Sequence, residues 1–271
     1  MCLVNAGGLT LQTGEVMDSL LDFSGKVVLI TGAASGFGKQ LAHDFSARGA
    51  KLVLGDLDLA GVEAVAEKIT TPVTVVKCDV SKELECKLMV DTALEVYGQL
   101  DIAINNAGIS QGFMAIHETT EAVMDLQFNV NVKSVMYGMK YQVKAMLPKG
   151  DGVILNVSSM AGLGGAPKIG AYSAAKHAVI GLTKTAAVEY GKSGVRVNAV
   201  CPFFTLTPMV TEGELIGSTQ DETQAILARS CPMKRLAEPT EITSVMLMMC
   251  SPGNTFMNGQ SIAVDGGVSA I

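Results

Sequence analysis

The fold is decided by the stretch Lys26-Val27-Val28-Leu29-Ile30-Thr31-Gly32-Ala33-Ala34-Ser35-Gly36-Phe37-Gly38, in which an apolar run enters a glycine-rich turn. Residues 26–31 have the β-branched, apolar character of a buried strand. Phe37, Leu41 and Phe45 follow at a spacing of four residues, which is typical of one face of a helix. The sequence therefore predicts a strand, a tight glycine turn and a helix in immediate succession.

The same alternation continues along the chain. Further strands are predicted near residues 51–55, 73–78, 100–105, 153–157, 195–200 and 261–264, with helix-length sequence between them. Alternating strands and helices predict a parallel sheet, and strands that are apolar throughout predict helices on both of its faces. The predicted fold class is therefore α/β, a doubly wound parallel sheet.

The chain of 271 residues is expected to form one domain, because it is 48% hydrophobic and 17% charged and has no evident internal linker. Residues 1–22 precede the first clear strand and are expected to form an N-terminal arm, so that the domain spans 23–271. Residues 205–230 interrupt the alternation with proline, glycine and mixed polar sequence. They predict an insertion with short helices, which is a candidate substrate lid.

Charge and hydropathy exclude several classes of partner. The net charge of −6 argues against nucleic acid and against an anionic membrane, because both attract clustered Lys and Arg. No apolar run reaches the roughly 18 residues of a membrane span, and the first 22 residues lack a secretory pattern. We therefore expect a soluble protein that stays in the cytoplasm.

Cysteines and histidines give no sign of a metal site. The six cysteines are scattered and contain no CxxC pair. His43, His117 and His177 are too dispersed along the chain to suggest a cluster. The expectation is reduced thiols and no catalytic metal.

The glycine-rich turn is a candidate phosphate cradle. Gly32, Gly36 and Gly38 would let the backbone approach a pyrophosphate, and the free N–H groups at the start of the next helix would stabilise its charge. An ordinary tight turn is the alternative. The order of strand, turn and helix favours a dinucleotide.

Asp56 is the candidate ribose ligand. It closes the second strand about 20 residues beyond the glycine turn, where a carboxylate can accept hydrogen bonds from the adenosine ribose hydroxyls. Neither Ser35 nor Leu57 offers a cation for the extra phosphate of NADP, so NAD is the predicted cofactor. A helix cap is the alternative role for Asp56, since Asp58 opens the next helix.

Two further strand ends are candidate cofactor contacts. Asp79-Val80 follows the third strand, where an acid and an apolar residue would hold the adenine ring. Asn105-Asn106-Ala107-Gly108 ends the fourth strand, where small residues would leave room for the cofactor and the amides would tie neighbouring strands together. A structural turn is an open alternative for this second segment.

Tyr172 and Lys176 are four residues apart, which places a phenol and an ammonium on one face of a helix. A nearby positive charge favours the phenolate and moves the phenol toward acid–base chemistry. The spacing alone is more often ordinary helix surface. The pair is a candidate proton-transfer centre only in company with the other motifs.

Together, the glycine turn, residues 105–108, a serine at a strand end and Tyr172-xxx-Lys176 resemble the short-chain dehydrogenase/reductase family over residues 24–268. The resemblance implies a Rossmann-type fold and a dinucleotide-binding and catalytic domain. It places the family's four catalytic residues on Asn131, Ser159, Tyr172 and Lys176. Ser158 and Asn129 are the neighbouring alternatives for the serine and the asparagine.

The resemblance also implies a role for each residue. Tyr172 would exchange a proton with the alcohol or carbonyl oxygen, and Ser159 would hydrogen-bond the same oxygen. Lys176 would lower the Tyr172 pKa and bind the nicotinamide ribose, while Asn131 would hold a water between Lys176 and solvent. The cofactor would take the hydride.

The loop after the sixth strand departs from the family. The family usually has Pro-Gly where this chain has Pro202-Phe203, and the loop meets the nicotinamide carboxamide. Thr207 is a better match than Thr205 for that contact, and Phe203 is expected to shift the loop or to line the substrate pocket. The expected cofactor contacts are Gly32, Ser35, Gly36, Phe37, Gly38, Asp56, Leu57, Asp79, Val80, Asn106, Ala107, Gly108, Tyr172, Lys176, Pro202, Thr205 and Thr207.

The expected substrate pocket is mainly apolar. Its predicted contacts are Ser159, Met160, Tyr172, Phe203, Phe204 and Met209, with Phe113, Leu163 and Leu215 as further candidates. No arginine is placed to clamp a carboxylate or phosphate, which favours a cyclic, aromatic or steroid-like secondary alcohol or its ketone. Core packing is the alternative for several of these residues.

The sequence therefore predicts an NAD-dependent alcohol dehydrogenase, and the resemblance implies a homotetramer. Two other functions stay open. One is reduction of a carbon–carbon double bond, although enoyl reductases similar to this family space tyrosine and lysine more widely. The other is a non-catalytic NAD-binding sensor or scaffold subunit.

Overall fold

The computed structural model describes residues 19–213 and 219–271. Most of the predicted N-terminal arm, residues 1–18, lies outside this described part. So does Leu215, a further pocket candidate in the predicted lid.

Seven strands of the described chain form one parallel sheet. The strand order is β3-β2-β1-β4-β5-β6-β7, so the chain moves outward from β1 to one edge and then returns to build the other half. This reversal leaves a crevice at the carboxyl ends of β1 and β4, where doubly wound sheets bind ligands. The strands are β1 (Val27–Thr31), β2 (Lys51–Asp56), β3 (Val73–Lys77), β4 (Ile102–Asn105), β5 (Gly152–Val157), β6 (Val195–Pro202) and β7 (Ser261–Val264).

Helices connect the strands and cover both faces of the sheet. Within the described residues they are α1 (Gly36–Ser46), α2 (Leu59–Ala66), α3 (Glu83–Tyr97), α4 (Glu121–Phe128), α5 (Ser134–Met146), α6 (Gly170–Tyr190), α7 (Pro208–Thr211), α8 (Gln220–Arg229) and α9 (Pro239–Cys250). A π-helical turn, Asn129–Lys133, joins α4 directly to α5.

Two hydrophobic cores lie on opposite faces of the sheet. In β1 all five residues are buried; Val28 and Ile30 pack with α1 and α9, whereas Val27 and Leu29 pack with α3, α5 and α6. Alternate residues of one strand thus serve both cores, which is why the strand is apolar throughout. The predicted α/β class, the single domain and the doubly wound parallel sheet are confirmed.

The fourth strand begins two residues later than the sequence pattern predicts. Residues 100–105 were the expected strand, but β4 starts at Ile102. Asp101 is buried and its carboxylate accepts the Val27 N–H at 2.8 Å, so a side chain takes the place of a ladder carbonyl there. A buried carboxylate of this kind carries no strand signal in the sequence.

The predicted insertion, residues 205–230, contains the short helix α7 and the helix α8 on either side of residues 214–218. Across the described residues, no helix combines the length and the apolar character that a bilayer crossing requires.

Candidate active site

The glycine-rich turn lies at the carboxyl end of β1, beside the crevice. Gly32 and Gly36 have φ values of 67° and 50°, which favour glycine over other residues. A Cβ on Gly32 would lie 2.8 Å from the Cα of Ala107, and one on Gly38 would collide with the Gly32 carbonyl. Close backbone approach therefore requires glycine at 32 and 38, whereas at 36 the positive φ favours it.

The start of α1 keeps its backbone donors available. Ser35 is the N-cap residue, yet its side chain makes no capping hydrogen bond to the described residues. The first N–H groups of a helix have no intrahelical partner and attract anions. This uncapped helix start, facing glycines without side chains, fits a pyrophosphate.

Asp56 ends β2 next to the glycine turn. Its carboxylate accepts the Ala34 N–H at 2.9 Å and the Asp58 N–H at 3.0 Å, and its two oxygens retain free lone pairs. The alternative role as a helix cap is wrong, because Asp58 is the N-cap of α2 and accepts the Gly61 N–H at 3.0 Å. Leu57 beside it is 63% exposed and adds no charge.

The end of β4 is tied to the end of β1. Asn106 Nδ2 donates to the carbonyls of Thr31 and Gly32 at 2.9 and 3.1 Å. The Thr31 hydroxyl accepts the N–H groups of Asn106 and Ala107, both at 3.1 Å. The predicted tying of strands by an amide is therefore present, and it holds the two sides of the crevice together.

Asn105 has a separate, buried role. Its Nδ2 donates to Asn156 on β5 at 2.8 Å, and it exchanges two hydrogen bonds with Gln142 on α5. Such fully paired amides stabilise one arrangement of neighbouring elements.

Asp79 and Val80 follow β3 at the same edge of the sheet. The Ser81 hydroxyl donates to the Asp79 carboxylate at 2.7 Å, and this hydrogen bond lowers the pKa of Asp79 below its usual value. Val80 is buried. The pair thus offers an ionised carboxylate beside an apolar surface.

Tyr172 and Lys176 lie on one face of α6, next to the strand ends. Lys176 Nζ is 5.5 Å from the centroid of the Tyr172 ring and donates to the Val157 carbonyl at 2.9 Å. Ser159 follows β5 and forms a side-chain hydrogen bond with Tyr172. The structure therefore brings together three of the four predicted catalytic side chains.

Burial sets the direction of the pKa shifts of Tyr172 and Lys176. It raises the pKa of Tyr172 above its usual value, and the Ser159 hydrogen bond opposes that shift only in part. Burial also lowers the pKa of Lys176 to about 8. The expectation that Lys176 lowers the Tyr172 pKa is therefore not met in the protein alone, because the ammonium is itself desolvated and is directed to Val157.

Ser158, the alternative serine, has a different position. Its hydroxyl donates to the Lys176 carbonyl of α6 at 2.9 Å, and the side chain is buried. Ser158 thus fixes the helix to the strand, and it is Ser159 that contacts the phenol.

Asn131 lies in the π turn, where helix geometry often changes at functional sites. A Cβ on Gly108 would lie 2.7 Å from Asn131 Oδ1 and 3.5 Å from Lys176 Nζ, which places Asn131 beside the lysine. Its side-chain amide is engaged by Ile109 and by Gln127. These three hydrogen bonds fix the Asn131 side chain beside Lys176.

The loop after β6 carries an aromatic pair. Phe203 and Phe204 pack edge to face with centroids 4.8 Å apart, and the Phe203 N–H donates to the Val264 carbonyl at 3.1 Å. Thr207 packs against the glycine turn, since a Cβ on Gly36 would lie 3.6 Å from its side chain. The loop thus reaches the cradle at Thr207 despite the bulky Phe203.

Two glutamines of the site could not be predicted from the sequence. Gln111 accepts the Tyr172 N–H at 2.9 Å, and Gln127 accepts a hydrogen bond from Asn131 Nδ2 at 2.7 Å. Neither belongs to a motif, and no local pattern distinguishes them. In the described part of the chain, no three His, Cys, Asp or Glu side chains are grouped to hold a metal ion.

A glycine cradle at the switch point of a doubly wound sheet, next to a Ser–Tyr–Lys centre, defines a dinucleotide-binding oxidoreductase. A family model described as enoyl-(acyl carrier protein) reductase matches residues 32–269. The chain belongs to the short-chain dehydrogenase/reductase family, whose members bind a nicotinamide cofactor.

Several relatives cover nearly the whole chain. An uncharacterised oxidoreductase of Thermotoga maritima is 39% identical over 93% of this chain and 100% of its own length. A 2,5-dichloro-2,5-cyclohexadiene-1,4-diol dehydrogenase of Sphingobium indicum is 35% identical over 92% and 99%. A cyclohexanol dehydrogenase of an Acinetobacter species is 35% identical over 90% and 95%.

Solved structures show the same fold. A crystal structure of levodione reductase has a TM-score of 0.89 and 34% identity, over 92% of this chain and 99% of that one. A 3-ketoacyl-(acyl-carrier-protein) reductase from Brucella melitensis in complex with NADH has a TM-score of 0.85, 34% identity and coverages of 91% and 99%. ElxO with NADP bound has a TM-score of 0.84, 29% identity and coverages of 91% and 99%.

Proposed function

We propose that this protein interconverts a hydrophobic, cyclic secondary alcohol and its ketone with NAD as the hydride carrier. The observation that carries the proposal is the contact of Ser159, Tyr172 and Lys176 beside an uncapped helix start and a glycine cradle. A nicotinamide, when bound, supplies hydride transfer, and the protein supplies proton transfer.

The cofactor would be held by three parts of the chain. The glycine turn and the start of α1 would bind the pyrophosphate, and Asp56 would bind the adenosine ribose. Lys176 would bind the nicotinamide ribose, and Thr207 would contact the carboxamide. NAD is favoured over NADP because Asp56 would repel the extra phosphate while Leu57 provides no compensating cation.

The protein's own chemistry is the movement of one proton. For oxidation, Tyr172 would first release its own proton through Lys176 and would then, as phenolate, accept the proton of the alcohol hydroxyl; for reduction, the phenol would donate its proton to the carbonyl oxygen. Ser159 would hydrogen-bond the reacting oxygen and fix its place next to the phenol. Lys176, with a pKa of about 8, would pass the proton onward near neutral pH, through a water held by Asn131.

The substrate class rests on the residues that the sequence predicts for the pocket. Phe203, Phe204, Met160 and Met209 provide aromatic and aliphatic surface rather than charge, which suits a hydrocarbon ring. Relatives that act on cyclohexanol and on a cyclohexadiene diol, and a fold match to levodione reductase, support a ring-bearing substrate. We place α7 and α8, within residues 205–230, as the lid over that ring.

The test is the appearance of reduced nicotinamide, followed by its absorbance, with NAD and NADP in parallel and a panel of alicyclic, aromatic, steroidal and sugar alcohols. We expect turnover of cyclic alcohols with NAD. Tyr172→Phe should lose activity by about 100- to 10,000-fold while still binding NADH, because only the proton-transfer group is removed. Turnover of charged or sugar-like alcohols alone would refute the substrate class.

Two alternatives are decided by the same assays. The description of the matching family model favours reduction of a carbon–carbon double bond, so an enoyl thioester belongs in the panel. The four-residue spacing of Tyr172 and Lys176 argues for the alcohol instead. A sensor or scaffold subunit would bind NADH yet show no difference between wild type and Tyr172→Phe on any alcohol.

The proposed assembly is a homotetramer, with the protein in the cytoplasm. Several large apolar side chains on α3, α4 and α5 are exposed in the single chain, which suits burial against other subunits. The residues are Leu84, Leu88, Met124, Leu126 and Met136. Sedimentation equilibrium would give a mass of four chains, and a monomer at micromolar concentration would contradict this assembly.

A further inference from the structure

Gln111 lies on the loop after β4, and its side chain is almost fully enclosed at 7% exposure. Its Oε1 accepts the Tyr172 N–H at 2.9 Å. Because a backbone N–H can only donate, this bond fixes which end of the amide is oxygen. The other end, Nε2, is thereby assigned as the free end of the side chain.

Nε2 of Gln111 is buried and has no hydrogen-bond partner among the described residues. Buried donors in folded proteins are almost always paired, so this group calls for a partner that the described chain does not supply. An amide NH2 group donates and does not accept. The missing partner is therefore a hydrogen-bond acceptor.

Hydrogen bonds hold the loop that carries Gln111 on both sides. On one side the main chain of Ile109 is bonded to Asn131, and the Ser110 carbonyl accepts from Gln127 Nε2 at 2.9 Å. On the other side the Met114 N–H donates to the Lys168 carbonyl at 2.9 Å, just before α6. The Gln111 amide is thus fixed between the elements that carry Asn131 and Tyr172.

We propose that Gln111 Nε2 binds a second oxygen of the substrate, distinct from the oxygen that exchanges its proton with Tyr172. The substrate would then be a cyclic alcohol or ketone with another hydroxyl, carbonyl or ether oxygen on the ring. A neutral amide donor suits a neutral oxygen, and the apolar candidate pocket residues would contact the ring carbons. This inference rests on the proposed function and narrows its substrate class.

The test compares cyclohexanol with a cyclohexanediol in wild type and in Gln111→Glu. Glutamate has nearly the same shape and keeps an oxygen for the Tyr172 N–H, but it presents a second acceptor where Nε2 was. We expect the wild type to prefer the diol. In Gln111→Glu the ratio of kcat/KM for the diol to that for cyclohexanol should fall about 10- to 100-fold, mainly through KM.

Gln260→Glu is the matched control, because it makes the same chemical change far from Tyr172. Gln260 is an exposed glutamine on the loop before β7. Its diol-to-cyclohexanol ratio should equal that of wild type. Quenching of NADH fluorescence and thermal unfolding, measured on each variant, would show that the cofactor still binds and the fold is intact. Should Gln111→Glu fail to fold, Gln111→Met would replace it in the same comparison.

Each outcome gives a decision. An unchanged ratio in Gln111→Glu overturns the inference, and so does an equal loss for both substrates, which would make Gln111 only a support for the Tyr172 backbone. Both of these leave the proposed alcohol dehydrogenase activity standing. If the wild type oxidises neither substrate nor any other cyclic alcohol, both the proposed function and this inference are wrong.

Discussion

Asn131 and Ile109 are joined by two reciprocal hydrogen bonds: Asn131 Oδ1 accepts the Ile109 N–H at 3.0 Å, and Asn131 Nδ2 donates to the Ile109 carbonyl at 3.0 Å. The side-chain amide pairs with this residue as a neighbouring strand would. Nδ2 also donates to Gln127 at 2.7 Å, so both of its N–H groups are paired. Its structural task is to fix the loop after β4 next to Lys176.

Asn131→Asp should therefore weaken both stability and turnover. Aspartate keeps the acceptor for the Ile109 N–H, but its second oxygen replaces Nδ2 and cannot donate. The Ile109 carbonyl and Gln127 Oε1 then lose their hydrogen-bond donor. Leaving these buried groups unpaired should cost about 1–3 kcal/mol in the free energy of unfolding, and more if the carboxylate stays ionised. Chemical denaturation measures this loss, and steady-state kinetics should show a lower kcat.

Asn254→Asp is the comparison for this change, since Asn254 lies in the loop after α9, far from Lys176. It should keep the wild-type kcat. A variant Asn131→Asp with wild-type unfolding energy would contradict the structural role of the amide.

Gly38→Ala should damage the cradle. Its new Cβ would meet the Gly32 carbonyl and lie 2.8 Å from Asn106 Nδ2, so the turn must open. Such overpacking typically costs about 1–3 kcal/mol, and we expect weaker NADH binding by fluorescence titration.

Gly181→Ala makes the same substitution in α6, where nothing lies within 4 Å of the added Cβ. This control should be stabilised by about 0.5–1 kcal/mol, because alanine favours the helix interior. Equal effects of the two alanines on NADH binding would refute a special role for Gly38.

The sheet and the cradle could be predicted because their signals are local. A strand buried on both faces must be apolar along its whole length. Neighbouring backbone leaves no room for a Cβ at Gly32 and Gly38, and Gly36 has a positive φ that favours glycine. Both features can be recognised within about a dozen consecutive residues. The Ser159, Tyr172 and Lys176 set needed the family resemblance, because its spacing alone is common.

The remaining parts of the site depend on contacts between distant residues. Gln111 and Tyr172 are 61 positions apart, and nothing in the sequence of either indicates the hydrogen bond between them. The π turn at 129–133 continues an ordinary helical pattern. The direction of the Tyr172 pKa shift also depends on burial, which the four-residue spacing to Lys176 cannot reveal.

Cofactor preference should change with two substitutions at the end of β2. Asp56→Ser combined with Leu57→Arg removes the carboxylate that would repel the phosphate of NADP and adds a cation for it. Since hydrogen bonds to charged groups contribute about 1.5–3 kcal/mol, we expect the kcat/KM ratio of NADP to NAD to rise about 100-fold. Parallel initial rates with both cofactors measure this ratio.

Leu57→Arg alone provides the control, because the Asp56 carboxylate stays in place and should neutralise much of the gain. The double variant must also be checked by thermal unfolding, since Asp56 accepts the N–H groups of Ala34 and Asp58. A preference for NADP in the unmodified protein would overturn the assignment of Asp56.

Lys176→Met should abolish turnover and yet make the protein more stable near neutral pH. Burial holds the pKa of Lys176 at about 8, below its usual 10.5, and the side chain is only 4% exposed. Each unit of lowering corresponds to about 1.4 kcal/mol, so the charged lysine destabilises the fold by an amount of the order of 3 kcal/mol. Loss of its hydrogen bond to Val157 would offset part of the gain.

The contribution of Lys176 to the free energy of unfolding depends on pH. Between the folded pKa of about 8 and the usual 10.5, the unfolded chain binds more protons at this lysine than the folded one. Wild-type stability from this group therefore rises with pH in that window, whereas Lys176→Met lacks the rise. The variant's advantage in Tm should be largest below about pH 8 and should shrink as the pH approaches 10.5, as scanning calorimetry at several pH values would record. A constant difference in Tm across that range would mean that Lys176 is not desolvated in the folded protein.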